Sequence, residues 1–200
     1  ARTTTVPLKL ESNESAFIVF GKKGDADSGK TETNFPEPEL VVNINTPWEV
    51  SFDNAMRGPD EPLKMIPPYD WSQSTDERLK YYSGTAVYRN SFRSGKPEPG
   101  ETICLNLGRV GVMAEVRING HMAGGVWSSP WRVDITKFIR DGENEVEISV
   151  VNNWVNRLIG DSRLPEKDRQ TWINVNEIRP GNALQPSGLL GEVTVTRVKY

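Results

Sequence analysis

Asn119-Gly120 is the pair of residues that most limits how this chain can fold. Both residues tolerate positive φ, so the pair favours a two-residue hairpin turn whose twist matches that of the strands it joins. Before it, Ala114, Val116 and Ile118 alternate with Glu115 and Arg117; after it, His121 to Trp127 reads as the return strand. A period of two puts one set of side chains on one face, and here that set is apolar. A lone hairpin is barely stable in water, so this one requires a wider sheet and a second layer over its apolar face.

The rest of the chain supplies both. Ala86, Tyr88 and Phe92 share one face of a predicted strand over 84–92. Ile103, Leu105 and Leu107 point one way, opposite Thr102, Cys104 and Asn106, and Val146, Ile148 and Val150 alternate with Glu145, Glu147 and Ser149. Leu40-Val42-Ile44 and Trp48-Val50-Phe52 form two further runs, separated by Thr46-Pro47. Leu189 to Tyr200 is a closing strand whose alternation slips between Val195 and Val198, which predicts a bulge or a change of sheet there. Short helical turns are expected at 74–79, capped by Ser74 or Thr75, and at 137–140, capped by Asp134 or Thr136 and ended by Gly142. Residues 54–74, with Pro59, Pro62, Pro67 and Pro68, and residues 155–188 read as long loops. Many short strands with turns at regular spacing and almost no helix predict an all-β sandwich or jelly roll.

Two regions are expected, 1–38 and 39–200. Val6 to Leu10 and Ser15 to Phe20 read as strands around a turn at Glu11-Ser12-Asn13-Glu14, and the polar stretch from Gly21 to Pro38 reads as a linker. Ala16 to Phe20 is continuously apolar, as in a strand covered on both faces. It is read either as the end of a preceding domain or as a strand added to the main sheet.

Charge narrows the partners. Twenty-four basic residues stand against 27 acidic ones, a net −3, which argues against nucleic acid or an anionic membrane as partner. No apolar run approaches the roughly 20 residues that span a bilayer. The single cysteine, Cys104, forms no internal disulfide and leaves the redox compartment open.

Catalytic motifs are sparse. One histidine, no His-Glu-x-x-His, no Gly-x-Ser-x-Gly and no Walker loop remove the common metal, acyl-transfer and nucleotide chemistries. Cys104 and His121 read better as a strand residue and a hairpin residue than as nucleophile and base. Asp25-Ala-Asp-Ser-Gly29 lacks the later bidentate Glu of a calcium loop and reads as solvated linker. Sugar recognition, by contrast, needs aromatic rings flanked by amides and charges. Trp127 and Trp131 around Ser128-Ser129-Pro130, and Trp154 with Asn153, Asn156 and Arg157, are the candidates; Trp71 and Trp172 also lie in loops. The alternative is that the tryptophans seal the sandwich, and that Asn156, Arg157 and Asp161 form a hydrogen-bonded network pinning the long loop.

Gly84-Thr-Ala-Val-Tyr-Arg-Asn-Ser-Phe92, Val116-Arg-Ile-Asn-Gly120 and Asp134-Ile-Thr136 with Gly142-Glu-Asn144 resemble the sugar-binding β-sandwich of glycoside hydrolase family 2, which has a galactose-binding-like jelly-roll fold. Trp48-Glu-Val-Ser-Phe-Asp53, Tyr81-Tyr-Ser-Gly-Thr-Ala86, Asn152-Asn-Trp-Val-Asn-Arg-Leu-Ile-Gly-Asp161 and Ser187-Gly-Leu-Leu-Gly191 resemble the C-terminal region of glycoside hydrolase family 106, α-L-rhamnosidase-like enzymes of polysaccharide-degrading bacteria. The resemblance covers about residues 40–200. It implies a non-catalytic accessory domain whose partners are carbohydrate and the catalytic domain of the same parent chain, in a periplasmic or secreted bacterial protein. It implies no cofactor beyond a structural calcium of the fold, with no ligand set singled out here. An independent carbohydrate-binding module and a self-contained glycosidase are the alternatives.

Overall fold

The computed structural model describes residues 3, 5–20, 34–174 and 177–200. Ten strands carry the fold: β1 Glu39–Asn43, β2 Trp48–Phe52, β3 Leu63–Met65, β4 Thr85–Ser94, β5 Glu101–Asn106, β6 Met113–Ile118, β7 His121–Val126, β8 Arg132–Asp134, β9 Gly142–Val151 and β10 Thr194–Lys199. Two short helices join them, α1 Glu77–Lys80 and α2 Val155–Asp161. The strands form a four-stranded antiparallel sheet, β1-β10-β5-β8, facing a six-stranded one, β3-β2-β4-β9-β6-β7. The chain is an all-β sandwich, as its alternation predicts. No helix among the described residues is long and apolar enough to cross a membrane.

The alternating residues meet between the sheets. Ala114, Val116, Ile118, Ile148, Val150, Leu105 and Val195 are all buried. An aromatic group closes one end: Trp71, Tyr82 and Tyr88 are fully buried, Trp71 Nε1 donates to Tyr88 Oη at 2.9 Å, and Phe52 stands edge-on to both Trp71 and Tyr82. Each large ring of this kind contributes on the order of 4 kcal/mol by burial. Burial also holds the Tyr88 hydroxyl far above the ordinary tyrosine pKa, since a phenolate there would lose its water. Gly188 lies against this group with φ +96, and a Cβ there would come within 2.6 Å of the Trp71 ring, so glycine is required.

The hairpin signal folds as read. Asn119 and Gly120 have φ of 51° and 80°, and Ile118 faces His121. Asn119 also clasps a distant turn: its Nδ2 donates to Phe138 O at 2.8 Å and to Asn144 Oδ1 at 2.9 Å, and its Oδ1 accepts from Glu145 N at 3.0 Å. Asn144 is fully buried, and its Nδ2 donates to Arg140 O and Gly142 O. Asp134 Oδ1 accepts from Thr136 N and from Thr136 Oγ1, and that hydroxyl oxygen accepts from Ile103 N. The turn motifs therefore bond to one another across the sheets.

Five local expectations differ from the structure. The turn expected at 137–140 lies at Thr136–Phe138, between Ile135, which supplies no side-chain cap, and Ile139. The cap of α1 is Asp76, whose Oδ1 accepts from Arg78 N at 2.9 Å, while Ser74 Oγ accepts from Asp76 N one step earlier. The bulge lies in β1, between Leu40 and Val42, and β10 pairs with β5 without a break. The slip in β10 instead puts Val198 on the outer face of the four-stranded sheet. There, with Cys104 and Tyr200, it lines a cavity of about 450 Å³ edged by Lys9, Glu11 and Phe35. A helix, α2, occupies part of the loop expected over 155–188. In the N-terminal region the turn at Glu11–Glu14 forms, but its flanks join no strand; Glu11 and Glu14 clamp Arg132 of β8 at 2.9 and 3.6 Å. Phe17, Val19 and Phe20 are 95%, 86% and 75% exposed, so no described residue covers the apolar run. The linker expectation over 21–33 and the Asp25–Gly29 segment lie outside the described residues.

Candidate functional site

The segment after β9 turns sharply because its asparagines substitute for missing backbone partners. Asn152 Nδ2 donates to Tyr82 O at 3.2 Å and to Ser187 Oγ at 2.9 Å. Asn153 Oδ1 accepts from Val155 N at 3.1 Å, starting α2, and its Nδ2 donates to Gln185 Oε1 at 2.8 Å. Asn156, fully buried, spends its whole amide: Nδ2 on Gln185 O and Ser187 Oγ, both at 2.7 Å, and Oδ1 on Gln185 N at 2.8 Å. This side of α2 is closed against Ser187 and the aromatic group.

The other side is open. Asp161, 2% exposed, accepts three hydrogen bonds at Oδ2, from Gln170 N, Thr171 N and Thr171 Oγ1 at 2.9, 2.8 and 2.7 Å. Its Oδ1 faces two guanidinium groups, Arg157 Nε at 3.2 Å and Arg57 Nη1 at 3.7 Å. The Arg157 contact is close but misaligned, so neither Nε nor Oδ1 makes a hydrogen bond. Burial pulls the Arg157 pKa down, Asp161 opposes that and Arg57 adds to it; an arginine keeps its proton regardless. The Arg157 side chain is 7% exposed and borders a cavity of about 340 Å³ lined also by Arg57, Tyr81, Gly160 and Arg163, with Glu77 at its edge. The Arg163 guanidinium stacks over Tyr81 at 5.5 Å from the ring centre and donates to its hydroxyl. A second cavity, about 450 Å³, flanks α2 on its Leu158–Ser162 side and reaches Gln170 and Trp172. Trp172 is 79% exposed, and Gln170 Oε1 is buried with no partner.

Of the six residues predicted to meet sugar, only Arg157 lines a cavity among the described residues. Trp127 is 77% exposed after β7, Trp154 is 46% exposed at the start of α2, and Trp131 packs against the core. These three line none of five surface cavities of about 280–450 Å³ among the described residues. Asn153, Asn156 and Arg157 belong to the α2 network. Trp71, read as a loop residue, is wholly internal. Arg57, Tyr81 and Arg163 had no signal of their own in the sequence, because three separate segments bring them to Arg157.

Asp76 and Glu98 are held below the ordinary carboxylate range by Arg78 and Lys199, whereas a general acid at neutral pH needs the opposite displacement. Asp161 has its oxygens engaged, and among the described residues no group of three or more His, Cys, Asp or Glu is placed to hold a metal ion.

Residues 64–182 match the family model described as glycosyl hydrolase 2 galactose-binding domain-like. A protein of Formosa agariphila named "Putative beta-glucuronidase" is 32% identical over 190 residues, 82% of this chain and 16% of that protein. Among solved structures, a rhamnosidase from Novosphingobium sp. PP1Y superposes with a TM-score of 0.77 and 36% identity, over 84% of this chain and 16% of the rhamnosidase. A beta-D-glucuronidase of Dictyoglomus thermophilum shares the fold at TM-score 0.55 and 20% identity, over 84% of this chain and 29% of that one. The chain thus spans about one-sixth of the length of the first two relatives.

Proposed function

The chain belongs to the glycosyl hydrolase 2 galactose-binding domain-like family, and from that premise we propose that it is the non-catalytic, sugar-binding-type accessory domain of a larger, α-L-rhamnosidase-like glycoside hydrolase. The observation that carries this reading is the superposition with the Novosphingobium rhamnosidase, which takes in most of this chain and a small part of that enzyme. In this reading the partners are a catalytic domain of the same polypeptide and plant or microbial polysaccharide. The location is periplasmic or secreted in a bacterium, and residues 1–38 connect to the preceding domain. A fold of this kind hosts many functions, so the site must carry the argument for non-catalysis. Glycosidases place two carboxyls about 5–5.5 Å or 6.5–9.5 Å apart, one with a raised pKa; at the cavities beside α2, Asp161 and Glu77 are held in ion pairs with arginines, which leaves Glu166 beside Arg169 and Gln170.

A second reading, an independent carbohydrate-binding module, is favoured by Trp127, Trp154 and Trp172, which leave large aromatic faces in water. Aryl rhamnoside and aryl glucuronide assays on this chain test the first reading: no turnover is expected, and turnover would overturn both non-catalytic readings. Titration with neutral oligosaccharides separates the two. Saturable heat lost in Trp127→Ala or Trp172→Ala supports the module; no heat at millimolar ligand leaves the scaffold role.

A further inference from the structure

Two guanidinium groups, Arg157 and Arg57, share a single carboxylate oxygen, Asp161 Oδ1. The other oxygen of that carboxylate is spent on three neutral donors. Nearby, Arg78 faces both Asp76 and Asp60, which leaves one negative charge over, and Glu77 lies 3.7 Å from Arg163. The Arg157–Arg57–Asp161 group itself carries one positive charge in excess. Arg157 is the more unusual partner. Its side chain is more than nine-tenths buried, its Nη1 and Nη2 donate to no described residue, and it lines the 340 Å³ cavity. Its Nε is buried without a hydrogen bond, and an unpaired buried donor costs its full desolvation, while the two outer nitrogens border the cavity.

Gly160 keeps the arrangement in place. A Cβ at that position would sit 2.7 Å from Arg157 Nη2 and 2.7 Å from the Tyr81 ring. Glycine lets the guanidinium lie against α2 with its outer nitrogens toward the cavity. Arg163, stacked on Tyr81, stands on the facing wall, so the opening is bounded by fork-shaped donors and an aromatic ring. Planar forks of N–H groups match a carboxylate bidentately.

We propose that this cavity is a binding site for the carboxylate of a uronic acid residue, with Arg157 beneath it and Arg57 and Arg163 at its rim. The three guanidinium forks suit a carboxylate, and the adjoining Leu164 offers an apolar contact to a sugar ring. This inference rests on the sugar-binding-type reading above and makes it specific to acidic glycans.

Titration calorimetry of the whole chain with methyl glucuronoside and methyl glucoside, which differ in carboxylate against hydroxymethyl, tests it. Saturable binding of the glucuronoside at least about tenfold tighter than the glucoside is expected, and Arg163→Gln and Arg57→Gln should each weaken it about tenfold. These two side chains are partly exposed, so both variants should stay folded, which the melting curve of each checks. Equal affinity for the two sugars, or an unchanged glucuronoside affinity in the Arg57→Gln/Arg163→Gln double variant, overturns the proposal. So does an acidic peptide or free acetate binding as tightly as the glucuronoside, since the cavity would then be a protein-docking or general anion site. Binding of neutral sugar without the carboxylate preference overturns this inference alone. Turnover of an aryl glycoside overturns the accessory reading and leaves the carboxylate preference standing.

Discussion

Asn156 and Arg157 are consecutive residues of one helix, both nearly inaccessible to water, and they are finished differently. Asn156 has both amide hydrogens and its carbonyl oxygen engaged by Gln185 and Ser187. Arg157 has one misaligned ion pair and two terminal nitrogens with no partner among the described residues. Burial alone therefore says little about role. The fully satisfied polar side chain acts as a rivet, holding 185–187 against the aromatic group. The unsatisfied one borders a cavity and adds little to stability, because a buried ion pair is seldom worth more than an apolar replacement.

Breaking the shared anchor should have the largest effect. Asp161→Ala removes the counter-charge of Arg157 and the acceptor of three hydrogen bonds, and a loss of about 4 kcal/mol is expected in denaturant unfolding. Asn156→Ala tests the rivet: three buried hydrogen bonds go, and about 3 kcal/mol should go with them, seen as a lower urea midpoint. An unfolding free energy within about 1 kcal/mol of the parent would mean that water replaces Asn156 freely and the two residues are alike after all. The closed side can also be probed by alkali. The Tyr88 hydroxyl, linked to Trp71 and to Leu189 N, has a raised folded pKa, so the unfolded chain releases that proton first. The stabilisation is full below about pH 10 and is lost as pH climbs beyond it, by roughly 1 kcal/mol at pH 11. Phenolate absorbance of the folded chain should lag accordingly, and simple titration of every tyrosine near pH 10 would mean that the aromatic group is open. The smallest effect on stability is expected at the open side: Arg163→Gln should cost less than about 0.5 kcal/mol, because its ion pair with Glu77 is exposed.

The strands were readable because period-two alternation is a local signal, and Asn119-Gly120 fixed the register at the closed end of its hairpin, as far as the shift between Val116 and Arg117. The bulge in β1 was not, since Leu40-Val41-Val42 is apolar throughout and the extra residue is decided by pairing with β10. Asp76 displaced Ser74 and Thr75 as the cap of α1 because a carboxylate beside Arg78 gains an ion pair that a hydroxyl lacks. The network of Asn156, Arg157 and Asp161 was visible as polar residues pinning a loop, but the helix that sets the charged pair at i and i+4 was not read there. Arg57 and Arg163, by contrast, join Arg157 only through tertiary folding, and no window of sequence contains all three. Trp71 and Trp172 sat in similar-looking loops; the first is drawn in by its hydrogen bond to Tyr88 and the second has no such partner among the described residues.

The pairing of β1 with β10 has a consequence for the order of events in folding. Val42 lies against Val195, the two strands being the first and last of the sandwich. Nearly every other strand must be in place before that loop can close, whereas the β6–β7 hairpin closes over two residues. Contacts so distant along the chain form late and slowly, and a pair at a sheet edge is among the first to open. Amide protons of β1 should therefore exchange well before those of β6 and β9, and the sandwich loosens from that seam while its centre stays shut.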